Sequence, residues 1–259
     1  MVLDNVQSET RDRVAQDQKR WPLEQIRSKS PVEIPDPFES AFSTGEINVI
    51  AEIKYGSPSR GAICDANQIT PTEVARQYIQ NGAMALSILT EPKHFDGSYD
   101  YLTAVREKNP TIPILMKDFF FEPYQFYLAR YLGASISLLM VRYLDEIQLK
   151  DFYDLTIDLG MSALVEVHDL QEVETAAKIG CSVMGVNNRN LETLEIDLNI
   201  AKNLSGQFPD GAISICESGI SKRSELDEFR DLGFDGFLIG SSLMADGQPG
   251  KALNALIGG

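Results

Sequence analysis

The sequence predicts an α/β chain folded as a (β/α)8 TIM barrel with an N-terminal helical extension. Three observations carry this expectation. Short β-rich runs recur eight times after residue 47, amphipathic helical stretches separate them, and the runs end in polar residues. A length of 259 residues suits one large α/β domain. Residues 1–47 are read as an extension packing on the barrel and 48–259 as the barrel itself.

The first run, NVIAEIK (48–54), is apolar and ends at the turn-rich loop YGSPSRG, so it reads as a buried parallel strand. The others are MALSILT (84–90), IPILMKD (112–118), SISLLMV (135–141), SALVEVH (162–168), VMGVNN (183–188), AISICES (212–218) and GFLIGS (236–241). The helical patterns PTEVARQYIQNG, EPYQFYLARYLG, LQEVETAAKIG and KRSELDEFRDLG each close on glycine, the usual residue just past a helix end. Residues near the run ends (Lys54, Thr90, Lys117, Met140, Glu166, Asn187, Ser218, Ser241) lie 21 to 36 positions apart. Each interval accommodates a strand–helix–strand unit. An open doubly wound sheet with a nucleotide site would carry GxGxxG or a P-loop after its first strand, and neither is present.

The N-terminal segment has helical stretches broken at Pro22, and DPFESAFSTGE reads as a further helix. Trp21, Phe38 and Phe42 are the side chains that would pack it against the barrel, as a cap or lid.

Composition excludes several function classes. A formal net charge of −15 argues against a nucleic-acid partner, which requires a basic face. No apolar run is long enough to span a membrane, and the N-terminus lacks a signal-peptide core. Cys64, Cys181 and Cys216 are widely spaced, which suggests a reduced, cytoplasmic protein without disulfides or a zinc site.

Barrel enzymes place their chemistry at the C-terminal ends of the strands. Among the eight positions above, only Met140 is apolar, whereas packing alone would favour Val, Ile and Leu. Glu52 and Lys54 alternate onto one side of the first run, either as a self-neutralising pair or as working groups. Lys117 and Glu166, each in an apolar run, offer an acid and a base whose neighbours set their proton affinity. ESGI (217–220) and IGSSL (239–243) place Gly and Ser where a following helix begins, after the seventh and eighth runs. Such loops commonly bind phosphate. His168 follows Glu166 by two and so could face the same side, but as a loop residue it reads as solvated or as a local hydrogen-bond donor, and with His94 it gives no metal-ligand spacing.

These motifs resemble the indole-3-glycerol-phosphate synthase family of tryptophan biosynthesis. The resemblance rests on AEIKYGSPSRG, LTEPKHFDGS, PILMKDFFFEPYQ, LVEVHDLQE, GVNNRNLETLEIDL, CESGI and FLIGSSLM, spread over residues 48–245. It implies conversion of 1-(2-carboxyphenylamino)-1-deoxyribulose 5-phosphate to indole-3-glycerol phosphate with loss of CO2 and water, without cofactor or metal. It further implies Lys117 as the general acid for ring closure, Glu166 as acid/base in dehydration and Lys54 as a substrate contact. Glu52, Asn187 and Ser218 would orient these groups. Phosphate would rest on Ser218–Gly219 and Gly240–Ser241, helped by Ser57. Arg189 would support Asn187 or the substrate carboxylate, Glu217 would join the substrate-binding set, and Phe95, Phe119 and Leu138 would line an aromatic-ring pocket. The partner implied is a small phosphorylated molecule, handled by a monomer or weak homo-oligomer. The sequence departs from the family pattern at Tyr55, Arg60 and Asn190; Tyr55 bears on the mobility and charge of the first loop.

Two rival readings make different demands. A sugar-phosphate Amadori isomerase would use paired aspartates, or a cysteine and an aspartate, at its strand ends. A non-catalytic phosphate-binding barrel would have no use for Lys54, Lys117 and Glu166 on three separate strands.

Overall fold

The computed structural model describes residues 5–29, 32–42 and 45–258. Among these, eight parallel strands close into a barrel. They are β1 (Asn48–Ile53), β2 (Ala85–Leu89), β3 (Ile114–Lys117), β4 (Ile136–Met140), β5 (Ser162–Val167), β6 (Val183–Asn187), β7 (Ile213–Glu217) and β8 (Gly236–Ile239). Each strand pairs with its sequence neighbours, and closure comes where Asn48 lies opposite Gly236 and Ala51 opposite Ile239. Every residue of β1 and of β5 is buried. One face fills the barrel interior and the other lies under helices, so these runs read as continuously apolar rather than alternating.

The four helical patterns become Pro71–Gln80, Pro123–Leu132, Leu170–Lys178 and Arg223–Asp231. Thr70 and Asp169 cap two of them, accepting hydrogen bonds from the Glu73 and Glu172 backbone N–H groups. Such a cap contributes about 1 kcal/mol. The terminating glycines, Gly82, Gly133, Gly180 and Gly233, have φ between 75° and 95°, the left-handed region that a Cβ disfavours. The first of these helices buries Val74, Ala75 and Tyr78 against the barrel. Fully burying a side chain such as Val74 contributes about 1.5–3 kcal/mol.

Before the barrel, helix α1 (Val6–Arg20) ends and helix α2 (Leu23–Ser28) begins around Pro22, which lacks an N–H and disfavours helical geometry in the residue before it. α1 packs beside the C-terminal ends of β2 and β3. There Arg13 pairs with Asp118 at 2.5 and 3.0 Å, and the Tyr99 hydroxyl donates to Asp17 at 2.9 Å. Trp21 lies edge-on to Tyr99, with ring centroids 5.9 Å apart.

The DPFESAF stretch forms a single 3-10 turn, Phe38–Ala41, rather than the expected longer helix, and Phe42 returns to extended backbone. Ser43 and Thr44 lie outside the described residues. The turn is held at the barrel's opposite end, where the Phe38 N–H donates to Ser162 at the start of β5 at 3.1 Å. Phe42 packs over Gly236, where a Cβ would come within 2.9 Å of its ring. Docking on the barrel base therefore fixes a local shape that helical propensity alone would not choose. No helix among the described residues is long and apolar enough to cross a membrane.

Candidate active site

The strand ends open into a cleft of about 230 Å³. Lys117, the last residue of β3, stands in it with its Nζ 3.0 Å from Glu166 Oε2 and 2.9 Å from Glu217 Oε2. Glu166 reaches in from β5 and Glu217 from the end of β7, and both side chains are about 2 % exposed. Burial by itself would strip the proton from Lys117, but Glu166, Glu217 and Glu52 outweigh it and hold its pKa above the ordinary lysine range.

The two carboxylates part company because their other contacts differ. Burial raises the pKa of Glu166, yet Lys117, His168 and the Asn187 amide (Nδ2 to Oε1, 3.0 Å) together hold it below the ordinary value. Glu217 has no such donor: its Oε1 is buried with no hydrogen-bond partner among the described residues. Burial, with Glu166 adding to it and Lys117 opposing, pushes Glu217 up to about 7. One lysine cannot fully neutralise two equally buried carboxylates, so the one with fewer donors, Glu217, holds its proton the more tightly.

Glu52 and Lys54 form an ion pair at 2.5 Å, and both side chains line the same cleft. They are thus a self-neutralising pair and also part of the site. Glycine clears space around these carboxylates. A Cβ at Gly185 would lie 2.0 Å from Glu217 Oε1, and one at Gly240 would lie 2.3 Å from Glu52 Oε1.

On one side, Phe95, Phe119 and Leu138 form an apolar wall, with the two rings 6.3 Å apart. On another, Ser218, Gly219, Gly240 and Ser241 present the loops after β7 and β8. Ser218 and Gly219 have φ of 64° and 95°, and the Ser242 hydroxyl donates to the Ile220 carbonyl at 2.9 Å, tying the two loops together. A short helix, Ser241–Met244, begins directly after Gly240, but the helix after Gly219 starts only at Arg223. The expectation that both loops run straight into helices holds for the second alone. The left-handed turn at Ser218–Gly219 redirects the chain, and Glu225 Oε2 accepts from the Ser221 and Lys222 N–H groups.

Arg189 also lines the cleft; its backbone N–H donates to Asn187 Oδ1 at 3.0 Å and its Nη1 to the Leu194 carbonyl at 2.7 Å. Ser57 is the one proposed site residue absent from the cleft wall. It lies in a two-residue-strand hairpin (Gly56–Ser57 with Gly61–Ala62), where its Oγ is 3.3 Å from the Arg60 N–H. Arg60, on the same hairpin, does reach the cleft. Tyr55 is buried away from it, its hydroxyl donating to the Ile69 carbonyl at 2.8 Å and its ring edge-on to Tyr101. It anchors the start of the first loop and adds neither charge nor contact to the cleft.

Of the two expectations for His168, the solvated loop residue fails and the local hydrogen-bonding one fits. Its side chain is 3 % exposed and lies between Glu166 and Glu172. The alternation Glu166–Val167–His168 gave a sign that the two share a side; Glu172, on the following helix, gave none. Sequence reasoning also missed Asp118, which lines the cleft while Arg13 holds it from α1. Among the described residues no three His, Cys, Asp or Glu side chains converge as metal ligands.

Residues 3–256 match the family model described as indole-3-glycerol phosphate synthase. A protein of that name from Carboxydothermus hydrogenoformans is 37 % identical over 99 % of this chain and 100 % of its own length. One from Lachnoclostridium phytofermentans is 40 % identical over 94 % of each chain. Among solved structures, 3-hexulose-6-phosphate synthase from Salmonella typhimurium shares the fold, with a TM-score of 0.65 at 13 % identity over 82 % of this chain and 97 % of that one. With a family match over residues 3–256 laid over a closed barrel whose charged side chains converge at the strand ends, the chain belongs to the indole-3-glycerol phosphate synthase family.

Proposed function

We propose a division of labour in this cleft for the synthase reaction, which closes the indole ring, loses CO2 and loses water. Lys117 is the general acid that protonates the substrate carbonyl for ring closure. Its support is the geometry: a buried ammonium between two carboxylates stays charged and able to donate. Glu166, ionised and held by Asn187, takes and returns the proton in dehydration. Lys54, fixed by Glu52, contacts the substrate and stabilises developing charge, and Ser218 completes the orienting set.

The substrate's phosphate rests on the backbone of Ser218–Gly219 and Gly240–Ser241, and its aromatic ring against Phe95, Phe119 and Leu138. Arg189 steadies Asn187. Glu217 acts with Lys117 rather than as a simple substrate contact, and Arg60 takes the place given to Ser57 at the cleft edge. The acidic composition supports a protein that leaves nucleic acid alone, and its three free cysteines support a reducing, cytoplasmic setting.

The observation that carries this reading is the Lys117–Glu166–Glu217 cluster at the base of the cleft. Mixing the purified protein with the carboxyphenylamino-deoxyribulose phosphate should raise indole fluorescence. Lys117→Met should abolish that signal, a loss of at least about 10²-fold, while phosphate-ligand binding persists. Normal turnover by this variant would overturn the role given to Lys117.

A further inference from the structure

The reaction as assigned leaves one buried titratable group unused. His168 follows β5 directly and its ring is held between two carboxylates. Nδ1 is 3.1 Å from Glu172 Oε2, and Nε2 is 3.5 Å from Glu166 Oε1. Glu172 is in an acceptor's setting: Oε2 also takes the His168 backbone N–H at 2.7 Å, and Oε1 faces Arg142 Nε at 3.3 Å. A carboxylate can only accept, so Nδ1 carries a hydrogen. Nε2 is then left facing an ionised carboxylate, buried and with no other partner among the described residues. Two acceptors set against each other in a buried site are costly. One proton between them removes the conflict.

We propose that His168 is a positioning residue that shares a single proton with Glu166, held on Nε2 while Glu166 is a carboxylate and passed to Oε1 when Glu166 must act as an acid. This deepens, and rests on, the acid/base role given to Glu166. The substrate carboxylate leaves as CO2 and a hydroxyl leaves as water, so each turnover consumes one proton net. In the dehydration step the Nε2–H bond breaks as Oε1–H forms. The carboxyl proton then goes to the leaving hydroxyl and the C–O bond breaks with its electron pair on oxygen, while the neighbouring ring carbon gives its proton to Lys117, which lost its own to the carbonyl in ring closure, and the C–H electrons form the ring double bond; the imidazole is left neutral. Solvent returns the proton between turnovers. The groups facing the pair are Lys117 from β3, Arg142 from the turn after β4, Asn187 from β6 and Glu172 from the helix Leu170–Lys178, with Glu217 of β7 beyond Lys117.

The test is the ¹⁵N spectrum of the ring nitrogens of His168 in the ligand-free protein across pH 5–9. The chain has 2 histidines, so a His94→Gln variant assigns the signals. At pH 7 both ring nitrogens of His168 should carry a proton, and in Glu166→Gln the Nε2 proton should be lost. A neutral ring at pH 7 in both proteins overturns the proposal. In turnover, His168→Gln should lower kcat roughly tenfold, short of the roughly 10²–10⁴ that an acid itself supplies, leave KM within about twofold and shift the pH profile of kcat. An unchanged kcat and profile would also overturn it. If Glu166→Gln keeps full activity, the role of Glu166 fails, and the ring spectrum reports on the shared proton independently of that result.

Discussion

Glu166 and Glu217 compete for one lysine, and replacing Glu217 by glutamine tests the consequence. In the folded protein the Glu217 carboxyl rises from the ordinary 4.5 to about 7, mainly because it is buried. A raised folded-state value means a stability contribution that is fully present below about 4.5 and lost as pH climbs through about 7. At about 1.4 kcal/mol per unit, the wild-type protein should lose about 2 to 3 kcal/mol through this group between pH 5 and pH 8. Lys117 stays charged and Glu166 stays ionised across that window, so neither cancels the loss. Glu217→Gln has nothing to ionise there. Urea unfolding of both proteins at the two pH values gives the comparison directly: the stability of the variant relative to wild type should improve by about 2 to 3 kcal/mol from pH 5 to pH 8. Parallel pH dependences in the two proteins would show that Glu217 is already ionised in the fold at pH 5, and would refute the division of charge drawn above.

Two further substitutions probe how the site is held. Arg13→Ala leaves the buried Asp118 without its charged partner, with only the Thr90 hydroxyl and the Phe119 N–H donating to it, and should cost about 3–5 kcal/mol in urea unfolding, whereas a loss under about 1 kcal/mol would rank the pair with exposed ones. Gly185→Ala would set a methyl 2.0 Å from Glu217 Oε1. It should destabilise the protein by about 1–3 kcal/mol and lower kcat by displacing Glu217 from Lys117; a variant with wild-type kcat would show that Glu217 can move without consequence.

Much of the site was legible in the sequence because a barrel converts periodicity into position. A polar residue closing an apolar run must lie at the mouth, and Lys117, Glu166, Asn187 and Glu217 do so as the last or next-to-last residues of their strands. Lys54 and Ser241 follow one or two residues beyond theirs. The loops were less legible. Ser57 and Arg60 lie three residues apart in one hairpin, yet only Arg60 reaches the cleft: Ser57 is in the paired strand and Arg60 in the turn beyond it, a difference that local sequence does not reveal. The sequence left His168 open between solvent and a local hydrogen bond for a similar reason: polarity and position after a strand say nothing about a carboxylate waiting on the next helix.

By itself the sequence determined the eight-fold alternation, the glycine-terminated helices, the acidic surface and the set of charged residues at the strand ends. These follow from local rules, namely side-chain period, backbone freedom and the cost of stranding a charge in an apolar run. Tertiary structure alone decided which charges meet. Lys117 and Glu217 are 100 residues apart in the chain, and Arg13 and Asp118 are 105 apart. Barrel closure and the docking of α1 bring each pair within hydrogen-bonding distance. The proton affinities depend on those meetings: Glu166 and Glu217 share a residue type and a lysine, and the Asn187 amide on one and an unpartnered oxygen on the other hold them on opposite sides of the ordinary carboxylate value.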